Sequence, residues 1–146
     1  MSEELVEVFA RKRGDKDYFP GEWVLWMGTF EVRLSYLGRL RGFLGCSPAD
    51  PPLVLLPCKS VHTFGMSFPL DIAFIGQGGL VVKAERNVRP GRVLSCEESC
   101  LVLERAASPD FWFRVGMGMA FDYRDGSIER GEEKRYGYDF ELRDED

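Results

Sequence analysis

The stretch FPLDIAFIGQGGLVVKA, residues 68–84, decides the fold of this chain. Two apolar runs, LDIAFI and LVVKA, flank the glycine-rich tetrapeptide at residues 76–79. Glycine readily adopts the positive φ angles that tight turns between antiparallel strands require. The stretch therefore predicts a β-hairpin, whose first strand carries one isolated acid, Asp71, inside its apolar run.

Elsewhere in the chain, apolar and polar side chains alternate with a period of two residues. Apolar side chains at residues 117, 119, 121 and 123 alternate with small or polar ones, and residues 136–142 alternate in the same way. Such alternation is typical of half-buried antiparallel strands. Shorter strands are predicted at residues 5–9, 23–27, 30–34, 53–56 and 100–103. Strands at this spacing predict a mainly β fold, a single compact antiparallel β sandwich or distorted barrel.

One or two short helices complete the predicted fold. Ser35 can cap a helix that carries Leu37 and Leu40 on one face and ends at Gly42 or Gly45. The sequence Ser-Pro-Asp at residues 108–110 combines a capping residue, a proline at the first helical position and an acid near the helix N-terminus. It predicts a second helix of about two turns before Gly116.

Charge argues against a nucleic-acid-binding protein. The formal net charge of the 146-residue chain is −5. Residues 122–146 hold ten acids and five bases, whereas residues 1–121 hold fourteen of each. A neutral body with an acidic end does not provide the basic surface that phosphate binding needs. We expect no nucleic-acid partner.

We expect a cytoplasmic protein that does not engage a membrane. The N-terminus has neither the basic start nor the apolar run of a signal peptide. No apolar stretch approaches the roughly 20 residues that cross a bilayer. In the cytoplasm the thiols of Cys46, Cys58, Cys96 and Cys100 are expected to stay reduced. We interpret the Cys96 and Cys100 pair as incidental, since a zinc site needs two further ligands.

Residues 57–66, PCKSVHTFGM, concentrate the side chains that could carry chemistry. They include the only histidine, His62, together with the thiol of Cys58 and the thioether of Met66. Asp71 follows within an apolar strand, where an unpaired carboxylate would cost several kcal/mol. We expect its partner to be His62 or backbone amides. A bond to His62 would fix the tautomer of the imidazole and raise its basicity.

Several interpretations of this cluster stay open. Cys58, His62 and Met66 are suitable ligands for a soft metal, but on a straight strand they lie too far apart to share one ion. Cys58, His62 and Asp71 are the residue types of an activated thiol nucleophile. The structural alternative places Cys58 and Met66 in the core and makes His62 and Asp71 a buried polar pair. A ligand pocket lined by the same polar groups is the fourth interpretation. We predict no metal and no cofactor.

The chain resembles a bacterial and archaeal family called domain of unknown function 192, over roughly residues 30–118. The resemblance rests on RGFLG (41–45), PC (57–58), HTFGM (62–66), FPLDIAFI (68–75), VV (81–82), Pro90, LVLE (101–104) and VG (115–116). It implies a compact, mainly β domain with short helices, and no established reaction, substrate or cofactor. It carries over His62, Met66, Asp71 and Glu104 as motif positions without assigning them a role.

We predict a single domain over residues 1–146, with the family-like core at about residues 30–118. The N-terminal segment, residues 1–29, and the C-terminal strand with its acidic tip, residues 119–146, depart from the family pattern.

Three functions are compatible with these observations. The leading hypothesis is a module that binds a small ligand, including an anionic one, with His62 and Asp71 at the mouth of a pocket and Arg89 and Arg92 receiving an anion. The first alternative is a hydrolase or transferase that uses Cys58. The second is a protein-interaction adaptor that uses the C-terminal strand and acidic tip. An enzyme is the less favoured class.

Overall fold

The structure is a computed structural model that describes residues 5–11 and 24–124. Within these ranges the chain forms nine strands, one α-helix and one 3-10 turn. The elements are β1 (Leu5–Arg11), β2 (Val24–Arg33), α1 (Tyr36–Arg41), β3 (Leu53–Leu55), β4 (Ser60–His62), β5 (Leu70–Gly76), the 3-10 turn (Gln77–Gly79), β6 (Val81–Val88), β7 (Val93–Ser95), β8 (Ser99–Ala106) and β9 (Met119–Arg124). The predicted mainly β class is confirmed.

Seven strands form one curled sheet, a half-barrel, in the order β6-β5-β8-β3-β2-β1-β9. Every neighbouring pair is antiparallel except β2 and β3, which run parallel. The strands β4 and β7 form a second, two-stranded antiparallel sheet. The strands β1 and β9, from the segments that flank the family-like core, pair with each other and extend the large sheet beyond β2.

Both faces of the large sheet are covered, and β5 shows why. Successive side chains of a strand point to opposite faces. Ala73 and Ile75 belong to a core cluster with Trp112 and Phe113, which we call the first cluster. On the other face, Leu70, Ile72 and Phe74 belong to the second cluster, which contains Phe43 after α1, Val61 of β4 and Leu94 of β7. The small sheet and α1 therefore lie over the second face.

The hairpin predicted from residues 68–84 is confirmed as β5, the 3-10 turn and β6. Gly78 and Gly79 have φ angles of 78° and 70°, the conformation for which glycine was expected there. The strands predicted at 23–27 and 30–34 merge into β2, and those at 5–9, 53–56 and 100–103 form as β1, β3 and β8. The strand predicted at 136–142 lies outside the described residues.

The helix predicted to begin at Ser35 forms as α1, with the Ser35 hydroxyl accepting a hydrogen bond from the Gly38 amide and Gly42 as the C-cap. The helix predicted from residues 108–110 is wrong. In a helix the Asp110 carbonyl would accept from the Arg114 amide. Instead it accepts from Arg86 and Arg105, and the Arg114 amide donates to the sulfur of Met117. Arginine side chains thus replace the helical bond and keep this segment out of a helix.

No helix in residues 5–11 and 24–124 is long and apolar enough to cross a membrane.

Candidate functional site

Asp71 is buried by a set of partners that does not include His62. Its exposed fraction is 1%. One carboxylate oxygen, Oδ1, accepts from the Asn87 amide at 2.9 Å. The other, Oδ2, accepts from Arg105 Nε at 3.0 Å and from the Ser108 amide at 3.3 Å. The expectation of backbone amides as partners is confirmed, and the strongest partner is the guanidinium of Arg105.

His62 lies on the opposite side of the large sheet from Asp71. The alternation of β5 directs Asp71 to the face of the first cluster, together with Ala73 and Ile75. Val61, next to His62 on β4, packs in the second cluster. The prediction that His62 pairs with Asp71 is therefore wrong, because the seven-stranded sheet separates the two side chains.

The half-buried imidazole of His62 is oriented by its own turn. Its Nδ1 accepts a hydrogen bond from the Phe64 amide at 3.2 Å, and the two rings stack with centroids 5.7 Å apart. Since Nδ1 acts as an acceptor, the neutral ring carries its proton on Nε2. The Nε2–H group is then the hydrogen-bond donor that the ring can offer to another molecule.

Thr63 fastens this turn to the loop that carries the predicted anion-binding arginines. Thr63 is fully buried, and its hydroxyl donates to the Arg89 carbonyl and accepts from the Arg92 amide, both at 2.8 Å. Its own amide donates to the Arg92 carbonyl at 2.8 Å. The backbones of the two segments are thus joined, but the Arg92 side chain pairs with Glu85 at 3.8 Å, and both arginines are exposed.

A cavity of about 220 Å³ opens between α1, β4, β7 and β8. Its lining combines polar and apolar residues, which come from the four elements and from the C-cap of α1: Arg39, Leu40, Gly42, Ser60, Val61, His62, Val93 and Glu104. His62 and Glu104 are the two predicted site residues in this lining. Asp71, Met66, Cys58, Arg89 and Arg92 are not part of it. The cavity thus replaces the predicted His62 and Asp71 pocket with one built on His62 and Glu104.

Glu104 is the most unusual residue in the lining. The register of β8 on β5 places Glu104 opposite Ile72, so the carboxyl points to the second face. Its exposed fraction is 1%, and burial raises the pKa of the Glu104 carboxyl to about 7, while the interaction of the carboxyl with the Phe43 backbone lowers the pKa. Among the described residues, no group forms a hydrogen bond with Oε1 of Glu104.

The turn after α1 is shaped to meet this carboxyl. Gly42 has a φ angle of 50°, which favours glycine. A Cβ atom at Gly42 would lie 2.8 Å from Oε1 of Glu104, so a side chain there would press on that oxygen. Arg41 closes the turn by donating from Nε to the Leu44 carbonyl at 2.9 Å. Gly42, the first glycine of the sequence RGFLG, therefore permits the close approach of the backbone to the Glu104 carboxyl.

The other two predicted site residues serve the interior. Met66 is buried in the second cluster, and Cys58 packs against it. Burial raises the pKa of the Cys58 thiol, and the negative charge of Glu104 raises it further. The thiol donates to the Ser60 carbonyl at 3.2 Å. A nucleophilic cysteine needs a lowered pKa and an adjacent base, and Cys58 has the opposite shift. Within the described residues, no three His, Cys, Asp or Glu side chains are grouped to hold a metal ion.

Sequence reasoning missed Arg105, Arg39 and Ser60, and it named Glu104 only through the family resemblance. A signal for Glu104 was present, because it is the single acid at the end of the apolar run LVLE and shares a face with the buried Val102. Arg105 had no such signal, since its role depends on the register between β5 and β8, which brings it opposite Asp71.

Two solved structures resemble this fold. A protein of unknown function from Novosphingobium aromaticivorans DSM 12444 has a TM-score of 0.59 at 16% identity, covering 79% of this chain and 84% of its own. A protein from Sinorhizobium meliloti 1021, described as a "putative transcription regulator", has a TM-score of 0.59 at 17% identity, covering 82% of this chain and 95% of its own. No family model and no curated protein matches the chain. At these identities the likeness concerns the fold alone, and membership of domain of unknown function 192 stays a prediction.

Proposed function

We propose that this protein is a small-molecule binding module whose ligand occupies the cavity between α1, β4, β7 and β8 and forms a hydrogen bond with Glu104. The observation that carries the proposal is the Oε1 atom of Glu104, a buried oxygen in the cavity lining without a hydrogen-bond partner among the described residues. The ligand supplies the missing donor.

The energy of an unsatisfied polar atom supports this assignment. Leaving a buried acceptor without a partner costs about 1–3 kcal/mol, and more for a charged group. An acid at this position also costs stability by its burial, as its raised pKa records. An apolar residue on the same face of β8 would avoid both costs, as the neighbouring Val102 does. Such groups are typical of functional sites, where they bind rather than stabilise.

The size and lining of the cavity fit a compact ligand. A volume of about 220 Å³ corresponds to about seven water molecules, at about 30 Å³ each. This lies below the range of about 300–1,000 Å³ that drug-sized ligands occupy. Apolar walls from Leu40, Val61 and Val93 surround polar groups from His62 and Glu104. Small-molecule sites commonly combine apolar walls with a few convergent polar groups.

A thermal-shift screen against a library of small metabolites tests the proposal. A ligand at 100-fold excess over its dissociation constant stabilises the folded state by about 2.7 kcal/mol, which raises Tm by roughly 5–10 °C. We expect at least one compound to do so for the parent protein and to lose most of the effect in Glu104→Gln. In this variant the side-chain carbonyl faces the Phe43 backbone, and an NH₂ donor replaces the Oε1 acceptor.

The matched control is Glu97→Gln, which removes one negative charge from an exposed residue outside the cavity lining. This variant should retain the full shift. A compound that stabilises the parent, Glu104→Gln and Glu97→Gln equally would bind elsewhere and contradict the proposal. Absence of any stabilising compound across a broad library would contradict it as well.

The proposed location is the cytoplasm, where the described cysteines would remain the free thiols that the structure shows. Separation of cell extracts into cytosolic and membrane fractions tests it, and recovery of the protein with membranes would contradict it.

A further inference from the structure

We infer that the ligand is an uncharged hydroxylated molecule, a sugar or a polyol, whose hydroxyl groups donate to Glu104 and accept from His62. The inference rests on the proposed function and specifies the ligand class for the same cavity. It depends on two groups of the same cavity lining that require opposite hydrogen-bond partners.

The ionised form of Glu104 is a pure acceptor and requires a hydrogen-bond donor. Its Oε1 atom is buried and has no hydrogen-bond partner among the described residues. His62 requires a hydrogen-bond acceptor, because Nδ1 already accepts from the Phe64 amide and the proton of the neutral ring is on Nε2. A hydroxyl group has one donor and two acceptor lone pairs, so it can satisfy both. An ammonium group has no acceptor, and an ionised carboxylate has no donor, so each satisfies only one of the two.

The charges of the lining also disfavour a charged ligand. Glu104 and Arg39 contribute opposite charges to the same lining. An anion would lie in the same small cavity as the Glu104 carboxylate, and a cation would share it with the Arg39 guanidinium. In each case this repulsion offsets the attraction to the oppositely charged side chain, so the cost of removing the ligand's charge from water is not fully compensated. A neutral ligand avoids both repulsions and can still bond with each group.

The apolar walls suit the carbon skeleton of such a molecule. Leu40 and Val93 line the cavity yet remain 54% and 57% exposed, so they form its rim. The Phe64 ring, stacked on His62, is 53% exposed. Apolar side chains that stay this exposed beside a polar floor are typical of ligand-binding grooves. The C–H faces of a sugar ring would cover Leu40 and Val93, while its hydroxyl groups reach Glu104 and His62.

The single histidine makes the test specific. In a full-chain sample, the imidazole C–H resonances of His62 are the only histidine signals in the NMR spectrum. We would titrate neutral pentoses, hexoses and myo-inositol, and in parallel glucosamine, glucose 6-phosphate, glucuronate and glycine. These probes supply a cationic, an anionic and a zwitterionic comparison, and glucosamine and glucuronate are close in size to the neutral hexoses. We expect a saturable shift with at least one neutral probe, and at least tenfold weaker binding of its charged derivatives.

Glu104→Gln should weaken binding of the active neutral probe at least tenfold, whereas Glu97→Gln should leave it unchanged. The outcomes separate the two proposals. Saturable shifts with charged probes alone would overturn the hydroxylated-ligand inference and leave the binding function intact. If no probe of any class moves the His62 resonances, and the thermal-shift screen also fails, both proposals are overturned.

Discussion

Arg105 and Asp71 form a buried ion pair across two neighbouring strands. They face each other in the register between β8 and β5, and Arg105 Nε lies 3.0 Å from Asp71 Oδ2. The guanidinium also lies over the ring of Trp112, with 4.6 Å between its carbon and the ring centroid. The pair joins the central strands to the extended segment around Trp112, on the face opposite the cavity. Asp71 therefore has a structural role.

Asp71→Asn should destabilise the protein by about 3 kcal/mol, because it leaves the mostly buried charge of Arg105 without its partner. Urea unfolding at pH 7 measures the change. The control is Asp110→Asn, since Asp110 contacts Arg86 and Arg105 through its backbone carbonyl, which the substitution keeps. Asp71→Asn should leave binding of a cavity ligand unchanged. A loss of binding in a folded Asp71→Asn protein would show that the first face takes part in the site.

Glu104 should make the stability of the protein depend on pH. Its pKa is about 7 in the folded state and 4.5 ordinarily. A raised pKa stabilises the fold fully below about pH 4.5, and this contribution is lost as the pH rises toward 7. The difference between the two pKa values corresponds to about 3 kcal/mol. Between pH 4.5 and pH 8, the free energy of unfolding of Glu104→Gln should therefore rise by about 3 kcal/mol relative to that of the parent.

Urea unfolding of both proteins across this pH range provides the measurement. Since the other titrating groups are common to both, the difference between the curves reports Glu104. Glu97→Gln, at an exposed acid, should follow the parent curve. Parallel curves for the parent and Glu104→Gln would mean that the carboxyl titrates normally in the folded state.

Gly42→Ala should cost more stability than a glycine substitution with the same backbone requirement but open space. Gly91 provides the comparison, because its φ angle is 86° and a Cβ atom there would meet nothing within 4 Å. Gly91→Ala should cost about 1 kcal/mol, the strain of a left-handed residue. Gly42→Ala adds the contact of 2.8 Å with Oε1 of Glu104, and we expect a total of about 2–3 kcal/mol in urea unfolding.

A double-mutant cycle identifies the source of the extra cost. In the background of Glu104→Ala, which removes the oxygen, Gly42→Ala should cost no more than Gly91→Ala does in the parent. An unchanged cost in that background would place the strain in the backbone rather than in the contact with Glu104.

The hairpin could be predicted because its signal is local. Glycines at positive φ and the apolar runs beside them fix β5 and β6 within seventeen residues of sequence. The site could not be predicted in the same way. Its geometry depends on which face of β8 meets α1 and β4, and the two short strands β4 and β7 have three residues each, too few for a periodic pattern.

The segment at residues 108–113 shows how a valid local signal can be overridden. Ser108 does accept a hydrogen bond from the Asp110 amide, as a capping serine would, at 3.0 Å. Helix formation then stops because Arg86 of β6 and Arg105 of β8 donate to the Asp110 carbonyl, and Trp112 donates to the Ile72 carbonyl at 3.2 Å. These tertiary bonds outweigh the weak preference of a two-turn helix.

Cys58 should react slowly with alkylating reagents at neutral pH. Burial raises the pKa of its thiol, and the nearby Glu104 charge adds to the effect, so little reactive thiolate is present. Cys96 is the internal comparison, because it lies at the start of a turn and its pKa is raised as well, by burial and by its bond to Glu98. Time-resolved iodoacetamide labelling with peptide mass spectrometry should show Cys58 reacting no faster than Cys96.

Glu104→Gln should speed the labelling of Cys58 and leave that of Cys96 unchanged, because removal of the negative charge favours the thiolate. Rapid, selective labelling of Cys58 in the parent would instead return the thiol-dependent hydrolase or transferase to consideration.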